Sequence, residues 1–206
     1  NTMLPKEKQS KKLALKYANG LVKTRYDAPY SYQIKGNIER QYSDMEAARV
    51  QYKKMIEVAE KTKSTSLGAG YNLVAHTYLF SGDYKNSREN YEMASSRSPS
   101  KYAKISYGEF GVWSYLYEND YDGAIKALDA LDKKVDDQNF SESEVLNYKA
   151  RNQFSKFIAH SYNQNKSDAY DALQANWSLR QKRLSLDESE DEVSKRNYET
   201  FNAWME

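Results

Sequence analysis

An apolar pattern recurs along this chain at intervals of about 40 residues, and such a repeat limits the folds that the chain can adopt. Met45, Tyr84 and Tyr121 occupy the same place in successive copies, spaced by 39 and 37 residues. A copy of this length accommodates two helices joined by a turn. One such hairpin buries its apolar face only against a neighbouring copy. The chain is therefore predicted to form a stack of helical hairpins.

The clearest copy spans residues 68–101. Its first helix places four residues on one face, because they follow one another at offsets of three, one and three. Gly82 and Asp83 form the turn, and Pro99 suits a position just past the end of the second helix. The predicted core positions are Tyr71, Val74, Ala75 and Tyr78 on the first helix and Ser87, Tyr91 and Ala94 on the second.

These positions, with Pro99, resemble the consensus of the tetratricopeptide repeat (TPR) family. The resemblance implies an all-α fold, a right-handed superhelical solenoid of stacked helix-turn-helix repeats. It predicts a single domain over residues 1–206, in which a leading helix over 4–25 precedes four repeats and a trailing helix over 187–206 follows them. The repeats are assigned to 29–63, 68–101, 105–133 and 144–184.

The remaining repeats match the consensus less closely. Glu39 stands where the first repeat should have a tyrosine, and in the fourth repeat Ser167 is predicted to cap the second helix. Small residues let the paired helices approach closely, and Gly36, Ala75 and Ala159 take that slot. The other core positions are Tyr32, Ala48, Tyr52 and Met55 upstream, and Val112, Tyr115, Tyr121, Ala124, Leu128, Leu131 and Tyr162 downstream.

In the TPR family the first helix of each hairpin lines a concave groove that binds protein segments. Carried over to this register, each first helix contributes two groove residues. The second of each pair directly follows the first helix's small core slot, so Asn37 follows Gly36 and His76 follows Ala75. The predicted protein-binding or peptide-binding residues are Gln33, Asn37, Asn72, His76, Glu109, Trp113, Lys156 and His160.

The sequence offers no motif for catalysis or for a cofactor. It has no cysteine, which excludes thiolate chemistry and cysteine-bound zinc. His76 and His160 lie two repeats apart, too far for one metal ion to bridge. With 31 basic and 29 acidic residues, the net charge of +2 gives no case for nucleic acid. The chain is therefore predicted to be no enzyme, with no catalytic residue, metal or cofactor.

Two functions fit this pattern. The first is a scaffold or adaptor that binds a protein or peptide in the groove. The alternative is a sensory or regulatory TPR module of a larger bacterial regulator, and the abundance of Lys, Asn, Tyr and Ser favours an AT-rich bacterial genome. No apolar run is long enough for membrane insertion. The sequence leaves the location open between the cytoplasm and, if an N-terminal signal was removed, the bacterial periplasm as a soluble protein or lipoprotein. Apolar residues of the trailing helix are predicted to pack on the fourth repeat, on a further helix or on a second copy of the chain in a homodimer: Tyr198, Phe201, Trp204 and Met205.

Overall fold

The computed structural model describes residues 6–186, and its regular elements over that range are all α-helices. The predicted all-α fold of helical hairpins is confirmed. The trailing helix over 187–206, with its proposed dimer contact, lies outside the described residues. The helices are α1 Lys6–Thr24, α2 Pro29–Gln41, α3 Met45–Lys61, α4 Leu67–Phe80, α5 Tyr84–Arg97, α6 Lys101–Glu118, α7 Tyr121–Asp136, α8 Glu142–Tyr162 and α9 Lys166–Leu184.

One turn geometry recurs after α2, α4, α6 and α8. Each turn contains a residue with positive φ, and the next backbone N–H donates to a carbonyl five residues earlier, as in the Schellman motif. At Gly82 (φ 76°) the absence of a side chain removes the strain of this conformation. The other three turns use Ser43, Asn119 and Gln164, and the closing bonds measure 2.9–3.0 Å, for example Asp83 N to Tyr78 O at 3.0 Å.

The residue after this turn caps the next helix at the start of α3, α5 and α9. Asp44 and Asp83 accept hydrogen bonds from backbone N–H groups at the start of α3 and α5. In α9 the cap is Asn165, whose Oδ1 accepts from the N–H of Asp168 at 3.4 Å. The prediction that Ser167 caps this helix is wrong. Gln164 adopts the left-handed conformation, so α9 already begins at Lys166.

The chain divides into two compact units, residues 1–120 and 121–206. In the first unit consecutive helices from α1 to α6 pack on one another, and in the second α8 packs on both α7 and α9. The predicted third repeat is divided by this boundary: α6 belongs to the first unit and α7 to the second. The single domain over 1–206 stays a prediction.

The predicted core positions of repeat 68–101 form the interior of the α4–α5 hairpin. Val74, Ala75, Ser87, Tyr91 and Ala94 are at most 1% exposed. Tyr71 and Tyr78 are half-buried against this interior, so the register found in the sequence is the packing register of the hairpin. In the fourth repeat the predicted core position Tyr162 is wrong: it is the last residue of α8 and is 68% exposed, with its ring stacked on that of Tyr121.

Close helix approach in the first repeat depends on Gly36. A Cβ added there would overlap the ring of Tyr52, which is fully buried on α3. Glu39, in the consensus tyrosine slot, is 8% exposed, and its carboxylate lies 3.4 Å from Nζ of Lys11 on α1. The departure from the consensus at Glu39 is thus explained by an ion pair with the leading helix.

Candidate functional site

The first unit places six predicted groove residues on the first helices of its repeats. α2 carries Gln33 and Asn37, α4 carries Asn72 and His76, and α6 carries Glu109 and Trp113. All are half-buried except Trp113, which is 43% exposed. The ring of His76 lies 5.4 Å from that of Phe110 on α6, so side chains of α4 and α6 meet on this face.

Asn37 and His76 occupy equivalent positions, and each is bonded to a tyrosine of its own hairpin. The hydroxyl of Tyr52 donates to Asn37 Oδ1 at 2.8 Å. The hydroxyl of Tyr91 lies 3.0 Å from His76 Nδ1. Asn37 and His76 are 39 residues apart, and so are Tyr52 and Tyr91. The same contact thus recurs in successive hairpins with a different partner for the tyrosine.

His76 is surrounded by aromatic rings. Its ring is stacked near Phe80 at 6.3 Å, meets Tyr91 edge-on at 5.5 Å and contacts Phe110. Burial lowers the pKa of His76 below its ordinary value, and the positive charge of Arg40 on α2 lowers it further. The lowered pKa favours the neutral imidazole at pH 7.

Four exposed aromatic residues lie near His76, one at the end of α4 and three along α6, and we call them the aromatic patch. On α6, three of them follow one another at offsets of three and four, which places them on one helical face. The rings of Trp113 and Tyr117 lie 6.3 Å apart. The patch consists of Phe80, Phe110, Trp113 and Tyr117, which are 63%, 37%, 43% and 58% exposed.

Of the aromatic patch, sequence reasoning found only Trp113. The helical spacing of Phe110, Trp113 and Tyr117 is visible in the sequence, but it is also the spacing of a buried stripe. Phe80 stands at the end of α4, where the consensus assigns no role. Only the packed structure separates an exposed aromatic face from a core face.

Asn72 has an unusual environment on the same face of α4 as His76. Its Oδ1 is buried and has no hydrogen-bond partner among residues 6–186. A buried acceptor without a partner costs about 1–3 kcal/mol. This cost makes Asn72 a poor residue for stability alone.

In the second unit, Lys156 of α8 is 8% exposed, and its Nζ lies 2.7 Å from Asp129 Oδ1 and 2.9 Å from Asp132 Oδ2 of α7. Burial acts to lower the pKa of Lys156, but the hydrogen bonds to the two carboxylates outweigh it and raise this pKa. Asn152 also donates to Asp132, at 2.7 Å. Lys156 thus belongs to a network that joins α7 and α8.

His160, the other predicted groove residue of the second unit, is near a carboxylate. Its Nδ1 lies 3.9 Å from Asp168 Oδ2 on α9, which is too long for a hydrogen bond. Within residues 6–186, no group of His, Asp and Glu side chains is arranged to hold a metal ion. Across the same range, no helix is long and apolar enough to span a membrane.

Comparison with known proteins supports the fold. No protein-family model and no curated protein sequence matches the chain significantly. Among solved structures, it is similar to a Podosopora anserina chain of nearly identical TPR-like repeats, assigned to the kinesin light chains. The TM-score is 0.64 at 14% identity, over 85% of this chain and 87% of that one.

A second similar structure is that of MamA, with a TM-score of 0.59 at 13% identity. The match covers 87% of this chain and 94% of MamA. Identities this low are evidence of fold alone. The chain therefore has a TPR-like fold, an all-α arrangement of helical repeats, as the sequence predicted.

Proposed function

We propose that this chain is a protein-interaction module whose first unit binds an extended segment of a partner protein along α4 and α6. The observation that carries the proposal is the aromatic patch. Large rings that stay exposed on a rigid helix lose little conformational entropy on binding, and aromatic anchors dominate the energy of protein interfaces. The patch adjoins His76 and shares its helices with Asn72 and Glu109.

A protein segment suits this face better than a nucleic acid or a charged metabolite. Aromatic rings bind the apolar side chains of a segment, while amide and imidazole groups pair with its backbone. Nucleic acid binding also uses aromatic stacking, but it needs a basic surface that neutralises phosphates. The near-balanced charge of the chain disfavours it.

Of the eight predicted groove residues, only the six in the first unit are part of this proposal. Gln33, Asn37, Asn72, His76, Glu109 and Trp113 would flank or extend the aromatic patch. Lys156 and His160 of the second unit stay predictions from the family register. Binding of this kind serves a scaffold or a regulatory module equally, and neither role requires catalysis.

The proposal is tested by selecting binders from a displayed library of random 16-residue peptides. The bait is the full chain, run beside Phe80→Ala with Trp113→Ala, and beside Tyr26→Ala. Tyr26 is a matched control, because it is 70% exposed in the same unit outside α4 and α6. Circular dichroism and thermal unfolding confirm that each variant is folded.

We expect the parent and Tyr26→Ala to enrich one peptide motif and the double variant to lose it. Enrichment of the same motif by all three baits would refute the assignment to the aromatic patch. A library that yields no motif for the parent would refute binding of a linear segment.

A further inference from the structure

The two tyrosine contacts of the first unit determine which hydrogen-bonding groups its groove residues have left to offer. Tyr52 donates its hydroxyl proton to Asn37 Oδ1 at 2.8 Å. This bond occupies one lone pair of the amide oxygen and orients the side chain, whose NH2 group stays available as a donor. Asn37 is half-buried, and it stands where the family register predicts a groove residue.

In the next hairpin, the equivalent contact selects one tautomer of His76. Tyr91 is 1% exposed, and among residues 6–186 its hydroxyl has His76 Nδ1 as its hydrogen-bond partner, at 3.0 Å. If Nδ1 carried the proton, the hydroxyl hydrogen of Tyr91 would be buried without an acceptor, at a cost of about 1–3 kcal/mol. The hydroxyl therefore donates to Nδ1, and the neutral ring carries its proton on Nε2.

We propose that Tyr52 and Tyr91 are positioning residues that fix Asn37 and His76 as hydrogen-bond donors. The groove then binds acceptor groups, namely the main-chain carbonyl oxygens of a bound segment. This inference rests on the proposed function and makes it more specific. Donors at these two positions need the carbonyl groups of the segment but not its N–H groups. Proline, which keeps its carbonyl, is therefore accepted in the segment opposite them.

The tautomer is measured without any ligand. A two-bond ¹H–¹⁵N correlation spectrum of the ¹⁵N-labelled full chain at pH 7.5 distinguishes the Nε2–H form from the Nδ1–H form. His160→Gln assigns the signals, because the chain has two histidines. We expect the Nε2–H form for His76. In Tyr91→Phe, we expect a mixture of tautomers and a higher pKa, because the neutral ring has lost a donor to Nδ1.

Binding is measured with the synthetic peptide that the display selection enriches most. His76→Asn gives the second hairpin the same contact as the first, with an amide oxygen that accepts from Tyr91 and an NH2 group that donates to the peptide. The affinity of this variant for the peptide should stay within about threefold of the parent's. His76→Asp offers oxygens only and should bind about tenfold or more weakly. Tyr91→Phe should fall between these two variants.

The results separate this inference from the proposed function. An Nδ1–H tautomer in the parent, or a His76 signal unchanged by Tyr91→Phe, would overturn the inference even if peptides bind well. Equal affinities of His76→Asn and His76→Asp would overturn it too. Failure to select any peptide would instead overturn the proposed function, while the tautomer measurement would still decide the positioning role.

Discussion

Asn72 in the first unit and Lys156 in the second occupy the same slot of the repeat, yet their surroundings are opposite. Each lies four residues before a histidine, His76 or His160. Lys156 is held by Asp129 and Asp132, so its charge is neutralised within the α7–α8 packing. Asn72 Oδ1 is buried and has no partner among the described residues.

This difference shows that a register position does not by itself define a binding residue. A side chain whose polar atoms are satisfied within the fold contributes to stability. A buried side chain whose polar atoms are left over costs stability, and such a cost is tolerated where a residue is retained for function. Asn176 Oδ1 of the second unit is likewise buried and without a partner among the described residues, so it is the aromatic patch that makes the first unit the better candidate for recognition.

The largest effect is expected for Lys156→Ala. Removing the cation leaves two carboxylates close together, one of them on the half-buried Asp132, and should reduce the free energy of unfolding by about 3 kcal/mol. Lys182→Ala is the control, because Lys182 and its partner Glu142 are 60% and 58% exposed. That variant should change the stability by less than about 1 kcal/mol. Urea unfolding followed by circular dichroism measures both, and equal losses would show that Lys156 is not a structural residue.

The next effect concerns recognition in the first unit. Trp113→Ala should weaken binding of a selected peptide by about 2 kcal/mol, or roughly 30-fold, because exposed aromatic anchors dominate interface energies. The free energy of unfolding of this variant should differ from the parent's by less than about 1 kcal/mol, since Trp113 is nearly half exposed. Titration calorimetry gives the affinity, and thermal unfolding gives the stability. A variant that binds like the parent would contradict the contrast between the units.

The hairpin architecture was predictable because its determinants are local. Tyr71, Val74, Ala75 and Tyr78 lie within eight residues of one another, and helical periodicity alone places them on one face. The anchors Met45, Tyr84 and Tyr121 are in fact the first residues of α3, α5 and α7. Repetition at nearly constant spacing then identified the fold.

The contacts of the site residues were not predictable from the sequence, because they are made with groups that are distant along the chain. Lys156 is neutralised by Asp129 and Asp132, which lie more than 20 residues earlier and reach it only when α7 packs on α8. His76 was found from the register, but its neighbour Phe110 lies on another helix. The predicted cap of α9 was wrong for a local reason. Both Asn165 and Ser167 are good capping residues, and the backbone turn at Gln164 starts the helix early enough that Asn165 becomes the cap.

A smaller effect, of opposite sign to that of Lys156→Ala, is expected for Asn72→Leu. Leucine has a similar volume and no polar atom, so it removes the buried acceptor and should raise the free energy of unfolding by about 1 kcal/mol. It should also weaken peptide binding if Asn72 contacts the ligand. Urea unfolding tests the first effect and calorimetry the second. A destabilised variant would mean that Asn72 is satisfied in solution, which would remove the contrast with Lys156.

The smallest effect is the pH dependence that His76 gives to the first unit. Its pKa in the folded chain is lowered by burial and by Arg40, so between that value and the ordinary pKa of about 6.5 the unfolded chain binds more protons. Stability linked to His76 is therefore fully present above about pH 6.5 and is lost as the pH falls through the folded pKa. Urea unfolding at pH 7.5 and 5.0 measures the loss.

Carboxylates also titrate in this range, so the informative quantity is the difference between the parent and His76→Asn. We expect the parent to lose more stability on acidification than His76→Asn. An identical loss in His76→Asn and the parent would show that His76 titrates as it does in the unfolded chain, and that its aromatic surroundings do not exclude the charged form.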